Sequence, residues 1–168
     1  TLLLKTGKSS NDSLSKSYIA VHHLISNKTD TILAGYNDAK NFVADETGSQ
    51  WAFVAERDSV EKSLQKFYKL WYYKTGSDSA KLQADKYTKG LRNGFSVSEN
   101  ASLRFSKDGQ KLYLGVAPIQ PPKDTTLVDF ETARLDIWHY NDEYIQPQQL
   151  KQLPQESKRS LMAVTMPG

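Results

Sequence analysis

Alternation of apolar and polar residues with a period of two runs through most of the chain and predicts a succession of short strands. Tyr18 to Leu24 reads as a strand, Ser26 to Asp30 as its turn, and Thr31 to Ala34 as the returning strand. The pattern resumes over Asn41 to Ala44, turns at Asp45-Glu46-Thr47-Gly48 and continues over Gln50 to Glu56. Trp51, Phe53 and Ala55 there share one face. Phe67 to Lys74 predicts another strand, followed by a turn at Thr75-Gly76-Ser77-Asp78 and a short strand from Ala80 to Ala84. Ser102 to Phe105 and Lys111 to Ala117 form a hairpin about Lys107-Asp108-Gly109, and Leu135 to Tyr140 and Leu161 to Thr165 complete the set. Two segments break the rhythm. Arg57 to Gln65 is charged and fits a short helix or a long hairpin excursion. Gln146 to Ser160, with Leu150 and Leu153 three apart, predicts one or two surface helical turns interrupted at Pro154. Pro118 to Lys123 reads as a loop within the domain, because strand patterns resume after it.

The chain also resembles itself. Gly48 and Gly109 lie 61 residues apart, and at that offset Phe42, Ala44, Trp51, Phe53 and Ala55 fall on Leu103, Phe105, Leu112, Leu114 and Val116. The alternation of faces is kept across the turn, although only the turn glycine looks shared. Leu70-Trp71-Tyr72-Tyr73 matches Ile137-Trp138-His139-Tyr140 at an offset of 67, with the Pro-rich loop supplying the extra spacing. Tyr18 to Ala34 looks like the last two strands of an earlier copy. A repeat of this size with four short strands predicts an all-β partial β-propeller of about three four-stranded antiparallel blades with short helical insertions. The blade pieces would span about 1–35, 36–90 and 91–168 of a single propeller fragment. A β-sandwich of about eight strands is the alternative fold.

Composition narrows the chemistry. Of 168 residues, 11% are aromatic, which favours strands, and 22 Lys and Arg against 19 Asp and Glu leave a formal charge of +3. The basic residues are interleaved with acids and form no stripe along which a phosphate backbone could lie, so nucleic acid is not the expected partner. With no cysteine there are no disulfides, thiolate ligands or cysteine nucleophile. No apolar run is long enough to span a bilayer as a helix; Leu2-Leu3-Leu4 ends at Lys5. The chain opens and closes in strand-like runs, as expected of a piece of something longer.

The hairpin Leu103-Arg104-Phe105-Ser106-Lys107-Asp108-Gly109-Gln110-Lys111-Leu112-Tyr113-Leu114 resembles the strand–turn–strand of WD-repeat-like propeller blades. Asp108 and Gly109 supply the turn geometry, as Gly48 does in the diverged copy. The stretch from Leu135 to Asp142, with Tyr144 to Leu150 after it, is similar to the propeller region of Bacteroidetes-type prolyl-oligopeptidase-like serine peptidases. That resemblance implies a propeller that precedes an α/β-hydrolase domain and restricts access to it, in an exported, periplasmic parent enzyme. The family's catalytic triad belongs to the hydrolase domain, and no residue here takes its place.

Candidate sites are few. Gly94-Phe95-Ser96-Val97-Ser98 approaches a nucleophile elbow, but Ser98 stands where glycine is required and no helix pattern follows Ser96. His22 and His23 are adjacent on a strand and point to opposite faces, as do Asp136 and His139, so neither pair chelates a metal. Trp71 and Trp138 are expected in the core between blades, whereas Tyr72, His139 and Tyr140 are candidates for a binding surface facing a channel. Glu56 and Asp58 read as solvated charges. The expected function is therefore non-catalytic: a propeller segment that shapes or gates substrate access to a separate serine-peptidase domain, without cofactor or metal. Its partners would be that hydrolase domain and peptide substrates in transit, with self-association of the open blade faces. An autonomous protein- or glycan-binding β-module of the bacterial envelope is the alternative.

Overall fold

A computed structural model describes residues 1–6, 17–60, 63–122, 125–126 and 139–168. Among these residues the chain forms eleven strands and one helix. The strands are β1 (Leu2–Lys5), β2 (Tyr18–His23), β3 (Lys28–Ala34), β4 (Asp38–Ala44), β5 (Gln50–Glu56), β6 (Lys69–Lys74) and β7 (Lys81–Ala84). They continue with β8 (Phe95–Val97), β9 (Arg104–Phe105), β10 (Leu112–Pro118) and β11 (Leu161–Thr165), with helix α1 (Gln146–Glu156) before the last. All pairings are antiparallel and make three separate sheets in chain order, none of them closed. The first is β1-β2-β3 and the second β4-β5-β6-β7. In the third, β10 lies between β11 on one edge and β8 and β9 on the other. The fold is all-β in outline, as the alternation predicts.

Strand parity decides how the sheets pack. On β5 and β6, Phe53, Ala55 and Tyr73 face the first sheet and cluster with Ile19, Val21 and Ile32. Ala52, Val54, Leu70 and Tyr72 project to the other side and cluster with Leu112, Leu114 and Phe105 of the third sheet. The middle sheet is thus covered on both faces, which is why β5 reads as a nearly continuous buried run. Three stacked layers do not make the two-sheet sandwich of the alternative reading.

Registers repeat more faithfully than residues do. The β2–β3 ladder slips between Ile19 and Ala20, and the β6–β7 ladder slips 51 residues later, between Leu70 and Trp71. Ile19 opposes Leu33 as Leu70 opposes Ala84, and Ala20 opposes Thr31 as Trp71 opposes Leu82. The hairpins at Asp45 and Ser106 also coincide. Gly48 N–H donates to the Asp45 carbonyl at 3.1 Å and Gly109 N–H to the Ser106 carbonyl at 2.9 Å, with φ of 68° at both glycines. That left-handed conformation is what fixes glycine there. Asp45 is bonded by Thr47 at 2.6 Å, and Asp108 by Ser106 at 2.5 Å, so acid and hydroxyl have exchanged places in otherwise matching turns. The first hairpin therefore keeps most of its hydrogen-bond scheme, not only its glycine: Asp45 and Ser106 each exchange bonds with the residue five on, Gln50 or Lys111.

Other expectations need correction. The strand beside β10 that corresponds to β6 is β11, with Val116 opposite Leu161 as Ala55 is opposite Lys69. Residues 135–138 of the strand expected over Leu135 to Tyr140, including Asp136 and Trp138, lie outside the described residues, and Tyr140 lies in a turn. β8 has too few residues for alternation to announce it. Helix α1 runs for eleven residues, longer than expected, with Pro147 in its first turn and Pro154 inside it. Pro147 brings a preset φ where no N–H is needed. Pro154 removes one backbone bond, but no α1 residue is buried, so the freed carbonyl is not shut into a core. No described helix is long and apolar enough to cross a membrane.

Candidate functional site

The antiparallel order places the sheet connections at two opposite ends. Among the described residues one end carries tight connections: residues 24–27, 45–49, 75–80 and 106–111. The other carries longer ones, including 57–68 after β5, 85–94 after β7 and, after β10, residues 119–122. Long connections at one end of a packed scaffold are where a binding surface is built.

Two adjoining hollows lie at that end. The first, of about 410 Å³, is bounded by Glu56, Asp58, Ser63, Gln65, Phe67, Tyr68, Lys69 and residues 85–87. The second, of about 260 Å³, lies between residues 64–67, 96–100 and 117–122. Gln65 and Phe67 line both. Gln65 Nε2 donates to the Gln120 carbonyl at 2.8 Å, tying the connections of the second and third sheets together. The Lys86 ammonium stands 3.8 Å from the Phe67 ring centroid and 5.1 Å from that of Tyr87. Asp58 is paired with Lys69. The lining thus combines aromatic faces, an amide, one cation on an aromatic shelf and a neutralised ion pair, a mixture suited to peptide backbone and side chains.

Carboxylates anchor this end from below. Glu56, the last residue of β5, is 1% exposed rather than solvated. Its Oε1 accepts from Ser59 N–H at 2.7 Å and its Oε2 from Asn37 Nδ2 at 2.9 Å. Burial opposes ionisation, but these donors outweigh it and hold the carboxyl below its ordinary range. Asp38, at the head of β4, accepts from Tyr68 Oη at 2.6 Å and faces Lys40 at 3.1 Å. Burial again opposes ionisation, and the Tyr68 and Lys40 hydrogen bonds bring the net shift down. Burial and the Asp38 carboxylate push the Tyr68 phenol up to about 12. Asp45, in the turn at the far end, is lowered too, where bonds from Thr47, Gln50 and Ser49 outweigh its burial.

A pH dependence follows. Carboxyls depressed in the folded state stabilise it above their unfolded values, near pH 4, and that stability is lost as pH falls through the lower folded values. Urea titrations should therefore show a steep loss of stability below about pH 4. The Glu56→Gln variant should lose about 1–3 kcal/mol at neutral pH, since one amide cannot accept from both buried donors, and should show a shallower acid limb. Unchanged stability in Glu56→Gln would mean that these bonds hold nothing.

The residues singled out from sequence distribute unevenly. Tyr72 is buried between the second and third sheets, 6% exposed, with its hydroxyl donating to Gln50 Oε1 at 2.7 Å. It packs the core rather than facing a channel. His139 and Tyr140 stack at 4.7 Å in an exposed turn, so Tyr72 is not gathered with them on one surface. Trp71 packs against the cluster between the first and second sheets, where the indole N–H groups of Trp51 and Trp71 are buried without a partner. Ser96 lines the second hollow but sits in the middle of β8, opposite Ala117, not on a strand-to-helix turn. His22 Nδ1 is 2.9 Å from Thr29 Oγ1, and His23 Nε2 is 3.4 Å from Asp30 Oδ2. Among the described residues no group of three metal-ligating side chains is formed. Sequence reasoning missed Glu56, Asp38 and Tyr68 as a framework, because their partners come from distant segments.

Comparison with protein families, with curated proteins and with solved structures gives no match.

Proposed function

We propose that the chain is a run of three consecutive propeller blades, non-catalytic in itself, whose loop-rich end shapes or gates peptide access to a separate serine-peptidase domain. The observation that carries this reading is the repeated register of three sheets stacked face to face in chain order, with the connections after β5 and β7 at one end among the described residues. Each sheet then acts as a blade, β4 and the β8–β9 pair as inner strands, and the two hollows as part of a rim. Such a rim selects sterically: a short extended peptide fits along the hollows, while a folded protein is held off. The α/β-hydrolase domain and the exported, periplasmic location follow from the resemblance of the blade hairpin and of the stretch around Asp142.

Amide chemical-shift mapping with short peptides tests the reading. Signals of residues 63–67, 85–87, 96–100, 117, 119 and 120 should move, while those of the far-end turns at 45–49 and 106–111 should stay. Shifts confined to the far end would sink it. So would labelling of Ser96 by a fluorophosphonate probe that disappears in Ser96→Ala. A glycan-binding module has less support, because Tyr72 offers no exposed ring.

A further inference from the structure

The contact between the first and second sheets and that between the second and third use the same two kinds of surface. In each, the face carrying Val21 or its counterpart Tyr72 meets the face carrying Phe53 or its counterpart Leu114. One surface of each kind is left over. The third sheet presents Tyr113, Met162 and Val164 outward, positions that on the second sheet are covered, while Gly115 between them is already covered by Ala101 and Ser160. Met162 is 75% and Val164 58% exposed. A hollow of about 500 Å³ opens there between Ala101, Arg104, Tyr113 and Met162. At the other end of the stack, the first sheet presents Leu2, Leu4 and Tyr18, 51%, 44% and 41% exposed, on the face that corresponds to Trp51 and Phe53.

We propose that a second copy of this chain docks its first sheet on the open face of the third, head to tail, repeating the contact that the chain makes twice internally. Continuity with that internal contact names the occupant: the missing surface has the alternation and strand direction of a first sheet, and each copy carries one. Leu2 and Leu4 supply apolar side chains to set against the exposed Met162 and Val164 and the hollow beside them. The contact is heterologous, so each added copy leaves one face free at either end, and assembly proceeds until a ring closes. The proposal rests on sheet packing and not on a gating role, so its failure leaves the peptide-rim reading standing.

Sedimentation over a concentration series reads it. The chain should associate with rising concentration, and Leu4→Lys and Val164→Lys should each remain monomeric. An equimolar mixture of the two variants should give a one-to-one species, since Leu4→Lys keeps the third-sheet face and Val164→Lys keeps the first-sheet face. Circular dichroism checks that each variant is folded; Leu2→Lys and Met162→Lys replace any that is not. A monomer at every concentration, association that survives Leu4→Lys, or a mixture that stays monomeric would each overturn the proposal. The second of these is what edge-to-edge pairing through β11 would produce.

Discussion

Truncation of Phe53 to alanine is expected to remove about 3–5 kcal/mol of folding stability, the largest single loss in the chain. Phe53 lies in the middle of β5 with no exposed surface and stacks on Phe42 with ring centroids 5.4 Å apart and planes 30° from parallel. It stands between β4, β6 and the first sheet, in the cluster with Ile19, Val21, Ile32 and Tyr73. Strands on both sides fix the backbone around it, so the cavity cannot close by local collapse, which places the cost toward the upper part of that range. Urea unfolding with a fitted slope measures it. The loss should also be uneven: hydrogen exchange should speed up across β2 and β3, whose apolar cluster among the described residues is this interface, and much less across β10. A loss below about 1 kcal/mol would mean that the first sheet is not seated on the second.

That interface was legible because it is a matter of parity. Trp51, Phe53 and Ala55 alternate with Ala52 and Val54, and any strand with that spacing puts the first three on one side. Alternation does not say whether the opposite side is covered as well. The exposed role expected for Tyr72 fails for that reason, since the second sheet is buried on both faces and Tyr72 points into the third. Identity at an offset of 61 was a poorer guide than hydrogen-bond capacity. Asp45 with Thr47 and Ser106 with Asp108 build one turn with their side-chain types exchanged, and a search for matching letters keeps only Gly48 and Gly109. The slips at Ile19 and Leu70 have no signature in the letters at all, because the backbone makes them. The rim is legible only in part. Its aromatic and basic residues are scattered over three connections, and the buried state of Glu56 depends on Asn37 and Ser59, which no local pattern joins to it.

Gly115 gives the second large effect, and it tests the third sheet as Phe53 tests the first. Gly115 is in the middle of β10, with Met162 of β11 opposite it, and its carbonyl accepts from Ser98 N–H at 2.9 Å. Its φ is not left-handed, so backbone freedom does not explain the glycine. Close approach does. A Cβ added there would lie 2.1 Å from Ala101 Cβ and 3.1 Å from Ser160 Oγ. Ala101 cannot easily retreat, because its carbonyl and that of Glu99 both accept from Asn41 Nδ2 at 2.8 Å, which ties this segment to β4 of the neighbouring sheet. Asn41 itself holds a left-handed φ of 54° to reach them. Gly115→Ala should therefore destabilise by about 1–3 kcal/mol, the usual cost of overpacking, although alanine is the better residue for an ordinary strand. Ala101→Gly in the same chain should recover most of that loss, because it removes the one atom at 2.1 Å. Chemical denaturation of the two single variants and the double variant closes the cycle. Additive losses would mean that the two residues do not touch and that the 98–103 segment lies elsewhere. Strong coupling would fix it across the β8–β9 edge of the third sheet, where it joins the bonding of β4 to the wall of the second hollow.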